Sequence, residues 1–347
     1  MIPERRYARR VNLTDIARAC GVAPSTVSRA LNNPGRVSTA MHERISQKAI
    51  EMGYASATLP QGPRRRSRGT IALVVPNLVN PFVHDLIRGS QAQAQAADFL
   101  FLIVNTEDSE HLEQKWLREL SQTVDGVVLS SPRTSDAELR AVADAVPLTL
   151  INRDVPGISG VTIDTPSSSV EALQYLGSLG HRRVAYVRGP ETSWTNRERV
   201  AALQRAVPDI GIELVPIGAF HPSLTAGAAA ADAVALTGVT AALFFNDTLA
   251  LGAMTRFRQR SIRIPEDISV VGCDDIMAAE TSYPPLTTIT SSGERVGRSA
   301  TELLIQHFTA RSPRVRTETM AAHLTVRDST GPAPAGVESP ALIYGVR

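Results

Sequence analysis

Apolar residues follow one rhythm near the start of this chain and another over most of its length. From Val11 to Tyr54 they recur at helical spacing: Leu13, Ile16 and Ala17, then Val27, Ala30 and Leu31, then Met41, Ile45, Ala49 and Met52. Three short helices are predicted. Asn12 can cap the first, with Asp15 near its positive end. Gly21 can turn the chain at positive φ, and Pro24 suits the first turn of the second helix, where no N–H is needed. The third helix is expected from Ser38 to Met52, with Gly53 ending it. The order is that of a helix-turn-helix with a supporting helix, because Ala17, Gly21 and Val27 fall at that motif's packing positions.

From Ile71 the rhythm changes to short continuous apolar runs separated by helical stretches: IALVV, FLFLIV, GVVLS, LTLIN, VAYV, ELVPI, AALFF and ISVVG. Runs of this kind mark parallel strands covered on both faces, so residues 71–328 are expected to form an α/β body of two doubly wound lobes. Between the two regions, residues 55–70 read ASATLPQGPRRRSRGT, a Pro/Gly/Arg-rich linker with no helical period. Residues 329–347 are expected to be a disordered tail, and without heptads they predict no coiled-coil tetramer.

Charge separates the regions further. The first 70 residues hold 13 Lys/Arg against 4 Asp/Glu, a balance of +9; the other 277 hold 23 against 30, a balance of −7. A basic head of this kind suits a polyanion, although a solvated basic tail has the same composition. With 43% hydrophobic and 20% charged residues the chain reads as globular protein. Cys20 and Cys273 are the two cysteines, which suggests neither a disulfide framework nor a cysteine-rich metal site and fits a reducing compartment. The Arg-rich N-terminus has no apolar core of a signal peptide and no run of 18 apolar residues occurs, so a cytoplasmic, nucleoid-associated protein without membrane contact is expected.

On the second predicted helix Val27, Ala30 and Leu31 face inward, leaving Ser25, Ser28 and Arg29 as a short polar face able to enter a major groove. Arg29 can reach guanine bidentately or hold a phosphate. The segment VNLTDIARACGVAPSTVSRALNNPGRVSTAMHERISQKAIEMGY resembles the head of the lactose-repressor/galactose-repressor family of bacterial regulators almost throughout. That resemblance implies base reading by Pro24, Ser25 and Arg29, with Asn12, Thr26, Ser28 and Asn32 contacting the DNA backbone or supporting those that do. It also implies a hinge helix in the linker with a leucine wedged into the minor groove. Here Pro63 falls where that leucine is expected, and Pro60, Gly62 and Pro63 would break the helix. Arg64, Arg65, Arg66 and Arg68 remain as a basic cluster, either entering an A·T-rich minor groove or adding nonspecific phosphate attraction.

In the body, ligands of open parallel sheets bind beyond the carboxyl ends of the strands. The residues there are polar, with one aromatic, Phe82, among them: Asn77 and Asn80; Asn152, Arg153 and Asp154; Asp164; Asn246 and Asp247; Asp274 and Asp275. Each Asn or Asp can serve as a helix cap, and together the polar groups can hydrogen-bond vicinal hydroxyls, while an aromatic face can cover the apolar face of a sugar. The same family resemblance extends through NDTLALGAM, IPEDISVVGCDD, PPLTTI and LTVRDST, so it covers residues 11–330. It implies a two-lobed, periplasmic-binding-protein-like body whose effector pocket uses Asn246 and Asp274 on sugar-type hydroxyls, Arg199 as a clamp, Phe220 as a stacking aromatic, and Asn80 and Phe82 on the other lobe. Arg197 fits the clamp spacing less well than Arg199, and Cys273 stands where the family usually has Phe.

No nucleotide-binding glycine motif, zinc-protease motif or nucleophile elbow occurs, and the seven histidines are scattered, so no cofactor, metal or enzymatic activity is expected. The expectation is a regulator, most often a repressor in this family, that binds a near-palindromic DNA operator as a homodimer under control of a sugar-like or nucleoside-like effector. A solute-binding protein of transport would share the body but has no use for residues 11–54; an α/β enzyme is the further alternative.

Overall fold

A computed structural model describes residues 12–32, 37–52, 69–309 and 314–335. The chain divides into two compact units, residues 1–67 and 68–347. The division falls inside the stretch read as a linker, most of which, with Arg64, Arg65, Arg66 and Arg68, lies outside the described residues.

The first unit contains α1 (Leu13–Cys20), α2 (Pro24–Asn32) and α3 (Thr39–Glu51). Asn12 Oδ1 accepts the N–H groups of Thr14 and Asp15, and Asp15 returns a bond to the Asn12 N–H at 3.0 Å. Three N–H groups at the start of α1 are thereby satisfied, those of Asn12 and Asp15 reciprocally. Gly21 ends α1 at φ +65°, a left-handed geometry that costs least without a Cβ. Ile16, Ala17, Cys20, Val27, Ala30, Ile45 and Ala49 form the core between the three helices. His42 Nδ1 meets Ala30 O at 2.8 Å and Arg44 donates to Cys20 O, so α3 ties down the ends of both other helices.

The second unit alternates strands and helices: β1 (Thr70–Val75), α4 (Pro81–Ala96), β2 (Leu100–Asn105), α5 (Glu110–Thr123), β3 (Gly126–Ser130), α6 (Asp136–Ala145), β4 (Leu148–Ile151) and β5 (Ser159–Ile163). It continues with α7 (Thr165–Ser178), β6 (Arg183–Val187), α8 (Trp194–Ile210), β7 (Glu213–Ile217), α9 (Leu224–Ala235), β8 (Ala241–Phe244), α10 (Asp247–Gln259) and β9 (Ser269–Cys273). The last elements are α11 (Met277–Thr281), β10 (Thr287–Thr290), α12 (Gly293–Thr309), β11 (Thr317–Met320) and β12 (His323–Thr325). Two sheets result, ordered β2-β1-β3-β4-β5-β11 in lobe 1 and β7-β6-β8-β9-β10-β12 in lobe 2. Every pair is parallel except β10 with β12. The chain passes between lobes three times: after β5, after β10 through α12, and from β11 to β12.

Each sheet is covered on both faces. In lobe 1, α4 and α12 pack on one side, where Val83, Leu86, Val296 and Ala300 meet the strands, and α5 and α6 pack on the other. In lobe 2, α9 and α10 take one face and α7 and α8 the opposite one. This double burial explains why the central strands read as unbroken apolar runs.

The body extends past residue 328, where the tail was expected to begin. Ser329 is fully buried: its Oγ donates to Val270 O at 2.6 Å and accepts the Thr287 N–H at 2.8 Å. Gly331 O meets His181 Nε2, and Ala333 N donates to Leu179 O. Backbone pairing with β9, which composition does not reveal, holds this segment.

Candidate functional site

In the head, Pro24, Ser25 and Arg29 are exposed on α2, while Thr26 and Ser28 are half-buried. Asn12 is exposed, but its carbonyl oxygen is already committed to the α1 cap. The Asn32 side chain lies outside the described residues.

In the body, loops at the carboxyl ends of both sheets enclose a cleft of about 870 Å3, counting its open mouth. Lobe 1 contributes Asn77, Asn80 and Phe82 after β1, Asp108 after β2, Ser131 and Arg133 after β3, and Asn152 after β4. Lobe 2 contributes Ser193, Thr195 and Arg199 after β6, Phe245 and Asn246 after β8, and Asp274 after β9. Asn80 Nδ2 donates to Asp274 Oδ2 at 3.4 Å, a polar link from one lobe to the other. Ser131, Asn152 and Asp274 have φ of +47°, +55° and +116°, strained values for residues with a side chain, and all three line the cleft.

Arg199 is buried and oriented from two sides. Its Nε donates to Thr165 Oγ1 at 3.0 Å, one Nη donates to Phe245 O at 2.6 Å, and the guanidinium carbon lies 5.1 Å from the Phe245 ring centre. Burial pushes the Asp274 carboxyl up to about 6, against the pull of Arg199 and the bond from Asn80. What surface Asp274 keeps opens into the cleft. Behind it Asp247 is fully enclosed, accepting from Thr288 Oγ1 at 2.6 Å and from Ile276 N at 2.9 Å. Burial, then the neighbouring Asp274 charge, push Asp247 up to about 7.

Asn246 caps α10, its Oδ1 accepting the Leu249 N–H at 3.1 Å. Its Nδ2 is buried with no hydrogen-bond partner among the described residues, although it lies near enough to Asp274 to steady that charge. A buried donor left unmatched costs free energy, and an acceptor brought into the cleft would recover it.

Comparison with known proteins bears on both units. The signature described as bacterial regulatory proteins, lacI family, matches residues 12–56, and that of the periplasmic binding protein-like domain matches residues 173–330. The transcriptional regulator DegA of Bacillus subtilis (strain 168) is 30% identical over 93% of this chain and 99% of its own length. The chain belongs to the lacI family of bacterial regulatory proteins. The transcriptional repressor CytR of Escherichia coli (strain K12) is 28% identical over 93% of this chain and 97% of its own. Among solved structures, the transcriptional regulator CelR in complex with cellobiose superposes with a TM-score of 0.67 at 29% identity, covering 92% of this chain and all of that one. This lacI-family member is a DNA-binding transcriptional regulator, with the helix-turn-helix head and two-lobed α/β body that its sequence predicts.

Of the effector residues proposed from the sequence, Asn80, Phe82, Arg199, Asn246 and Asp274 converge on the cleft of this lacI-family body, and Phe220 does not. Phe220 packs against the lobe 2 core, its ring so close to Gly218 that a Cβ there would come within 2.6 Å. On the lobe 2 side, the aromatic side chain that lines the cleft among the described residues is Phe245. It reads as the last residue of the run AALFF, but β8 ends at Phe244, which is buried, and the next side chain turns toward the cleft.

The other strand-end residues are used elsewhere. Arg153 pairs with Asp136, Asp275 pairs with Arg327, Asp164 caps α7 and Asp154 accepts from Thr317. Arg197 donates to the carbonyls of Glu191 and Thr192 at the surface. Asp108 and Arg133 escaped the sequence reading although both follow strands, because nothing local says that they pair across 25 residues.

Proposed function

We propose that this regulator is a repressor whose affinity for a near-palindromic operator is set by a small sugar-like or nucleoside-like effector bound in the cleft. The observation that carries the reading is the buried, unmatched Asn246 Nδ2 beside Asp274 and Arg199 in a cleft formed by both lobes. A ligand rich in hydroxyls satisfies all three at once, accepting from Asn246 and Arg199 and donating to Asp274. It also competes for the Asn80–Asp274 link, so binding and relative lobe orientation are coupled, and by linkage the effector alters operator affinity.

On the DNA side, Pro24, Ser25 and Arg29 of α2 read base edges, with Asn12, Thr26, Ser28 and Asn32 on the phosphate backbone or in support, and Arg64, Arg65 and Arg66 in the minor groove or on phosphates. The protein acts as a homodimer in the cytoplasm, without catalysis. Support for self-association comes from apolar surface left exposed on each lobe: Leu100 (63%) on the sheet-edge strand β2, and Met277 (83%) and Tyr283 (81%) around α11. Among the described residues no helix is long and apolar enough to cross a membrane.

The test couples two measurements on the full chain. A thermal-shift screen of sugars and nucleosides is expected to identify a stabilising ligand, worth about 2.7 kcal/mol at a hundredfold excess over Kd. Asp274→Ala should abolish that stabilisation while the variant still binds operator fragments in a gel-shift assay. A variant that keeps the full shift would remove the cleft from the proposal.

A further inference from the structure

Among the described residues four charged side chains line the cleft: Asp108 and Arg133 from lobe 1, Arg199 and Asp274 from lobe 2. Their formal charges cancel, and in lobe 1 they cancel within a single contact. Arg133 Nη2 donates to Asp108 Oδ1 at 2.9 Å, and Asn77 Nδ2 donates to Asp108 Oδ2 at 3.2 Å, so both carboxylate oxygens are engaged. The pair is nearly enclosed, with 8% of the Arg133 and 13% of the Asp108 side-chain surface exposed.

Both partners are fixed from behind. Asp108 sits in a left-handed turn, φ +55°, and its N–H donates to Pro76 O. The N–H groups of Arg133 and Thr134 donate to the buried Glu113 carboxylate at 2.9–3.2 Å. Glu113 is thus a positioning residue that holds the loop carrying Arg133.

A guanidinium at the edge of a ligand cleft is otherwise a receptor for phosphate or carboxylate, which it meets with two parallel donors. Here an anion must either displace Asp108, leaving a carboxylate nearly buried and unpaired, or lie beside that carboxylate and Asp274 together. Both outcomes are costly where charges have lost most of their water. Neutral hydroxyl groups meet no such opposition.

We propose that Asp108 is the specificity-determining residue of the cleft: by neutralising Arg133 in place, it makes the site accept uncharged, hydroxyl-bearing ligands and refuse phosphate esters and carboxylates. This rests on the effector reading of the cleft given above and narrows its ligand class.

The experiment is a thermal-shift titration of the full chain with D-ribose, cellobiose and adenosine, and in parallel with ribose 5-phosphate, glucose 6-phosphate and inorganic phosphate. Wild type is expected to show no saturable shift with any of the three anions. Asp108→Asn should gain one with ribose 5-phosphate, about 5 °C at a hundredfold excess over Kd. The double variant Asp108→Asn with Arg133→Gln should lose that gain. A phosphate ester that stabilises wild type, or a folded Asp108→Asn protein that gains no anion response, overturns the proposal. If Asp108→Asn does not fold, the wild-type titration decides: any saturable anion shift overturns the proposal and none supports it. Failure of the effector reading looks different, since the neutral ligands, extended to a wider panel, would leave wild type unmoved while Asp108→Asn still gained its anion response.

Discussion

Lobe 1 and lobe 2 share a strand order, and each uses a buried carboxylate on the first turn of a helix to hold a loop that faces the cleft. In lobe 1 Glu113 of α5 accepts backbone N–H groups of the loop that presents Arg133; in lobe 2 Asp247 of α10 accepts from Ile276, next to the loop that presents Asp274. Both carboxyls have raised pKa values because both are out of water. The difference lies in what each supports. Glu113 has the guanidinium of Arg133 nearby, which offsets part of its burial, whereas Asp247 has a second carboxylate, which adds to it. Lobe 1 therefore presents a wall whose charges are already satisfied. Lobe 2 presents one with an unmatched amide donor, a strained Asp274 and a buried Arg199, arranged for a partner that comes from outside. In the proposed reading, lobe 2 anchors the effector and lobe 1 screens it.

The largest expected effect separates the two aromatic residues of lobe 2. Phe220→Ala should cost about 2 kcal/mol of stability in urea unfolding, because the half-buried ring packs against the lobe 2 core, and should leave effector affinity within about twofold. Phe245→Ala should weaken effector binding about tenfold, since it removes the ring over which the Arg199 guanidinium lies. Equal losses of affinity in the two variants would contradict the description of the lobe 2 wall.

Next in size is a pH effect confined to lobe 2. With Asp247 at about 7 and Asp274 at about 6, the folded state holds protons that the unfolded chain has released, so these groups stabilise the fold at pH 5 and lose that contribution as pH rises toward 8. For Asp247 the loss is on the order of 2 kcal/mol. Asp247→Asn should flatten this slope in calorimetric scans across that range. An unchanged slope would show that lobe 2 does not store acidity behind its cleft.

The smallest effect concerns the lobe 1 clamp. Glu113→Gln replaces a charge-assisted acceptor of two N–H groups with a neutral one and should cost about 1.5 kcal/mol. Hydrogen exchange at the Arg133 and Thr134 amides should rise in step, while the amides after β9 keep their protection. Loss of protection in both lobes would mean that the two walls are not held independently.

Much of this architecture is legible residue by residue. The head follows from a helical apolar stripe, the Asn12 cap and Gly21, all of which act within a few positions of themselves. Central strands announce themselves because burial on both faces forces unbroken apolar runs. Strands β10, β11 and β12 do not, since TTIT, TETM and HLT are short and Thr-rich or polar and take their place from the sheet that they join. Ser329 is likewise held by β9, at a distance of 59 residues.

The cleft divides along the same line. That polar residues gather at strand ends is a property of the chain, and Asn80, Phe82, Arg199, Asn246 and Asp274 could be named from it and from the family resemblance. Which of them face the cleft, and which serve as caps or ion pairs, was decided by contacts between residues far apart: Asn80 with Asp274 across 194 positions, Arg133 with Asp108 across 25 and Arg199 with Phe245 across 46. Local propensity and periodicity fix where an element begins and which face it buries. The charge state and orientation of a cleft side chain depend on the neighbours that folding brings to it, and those neighbours exist only once both sheets and the three crossings between them are in place.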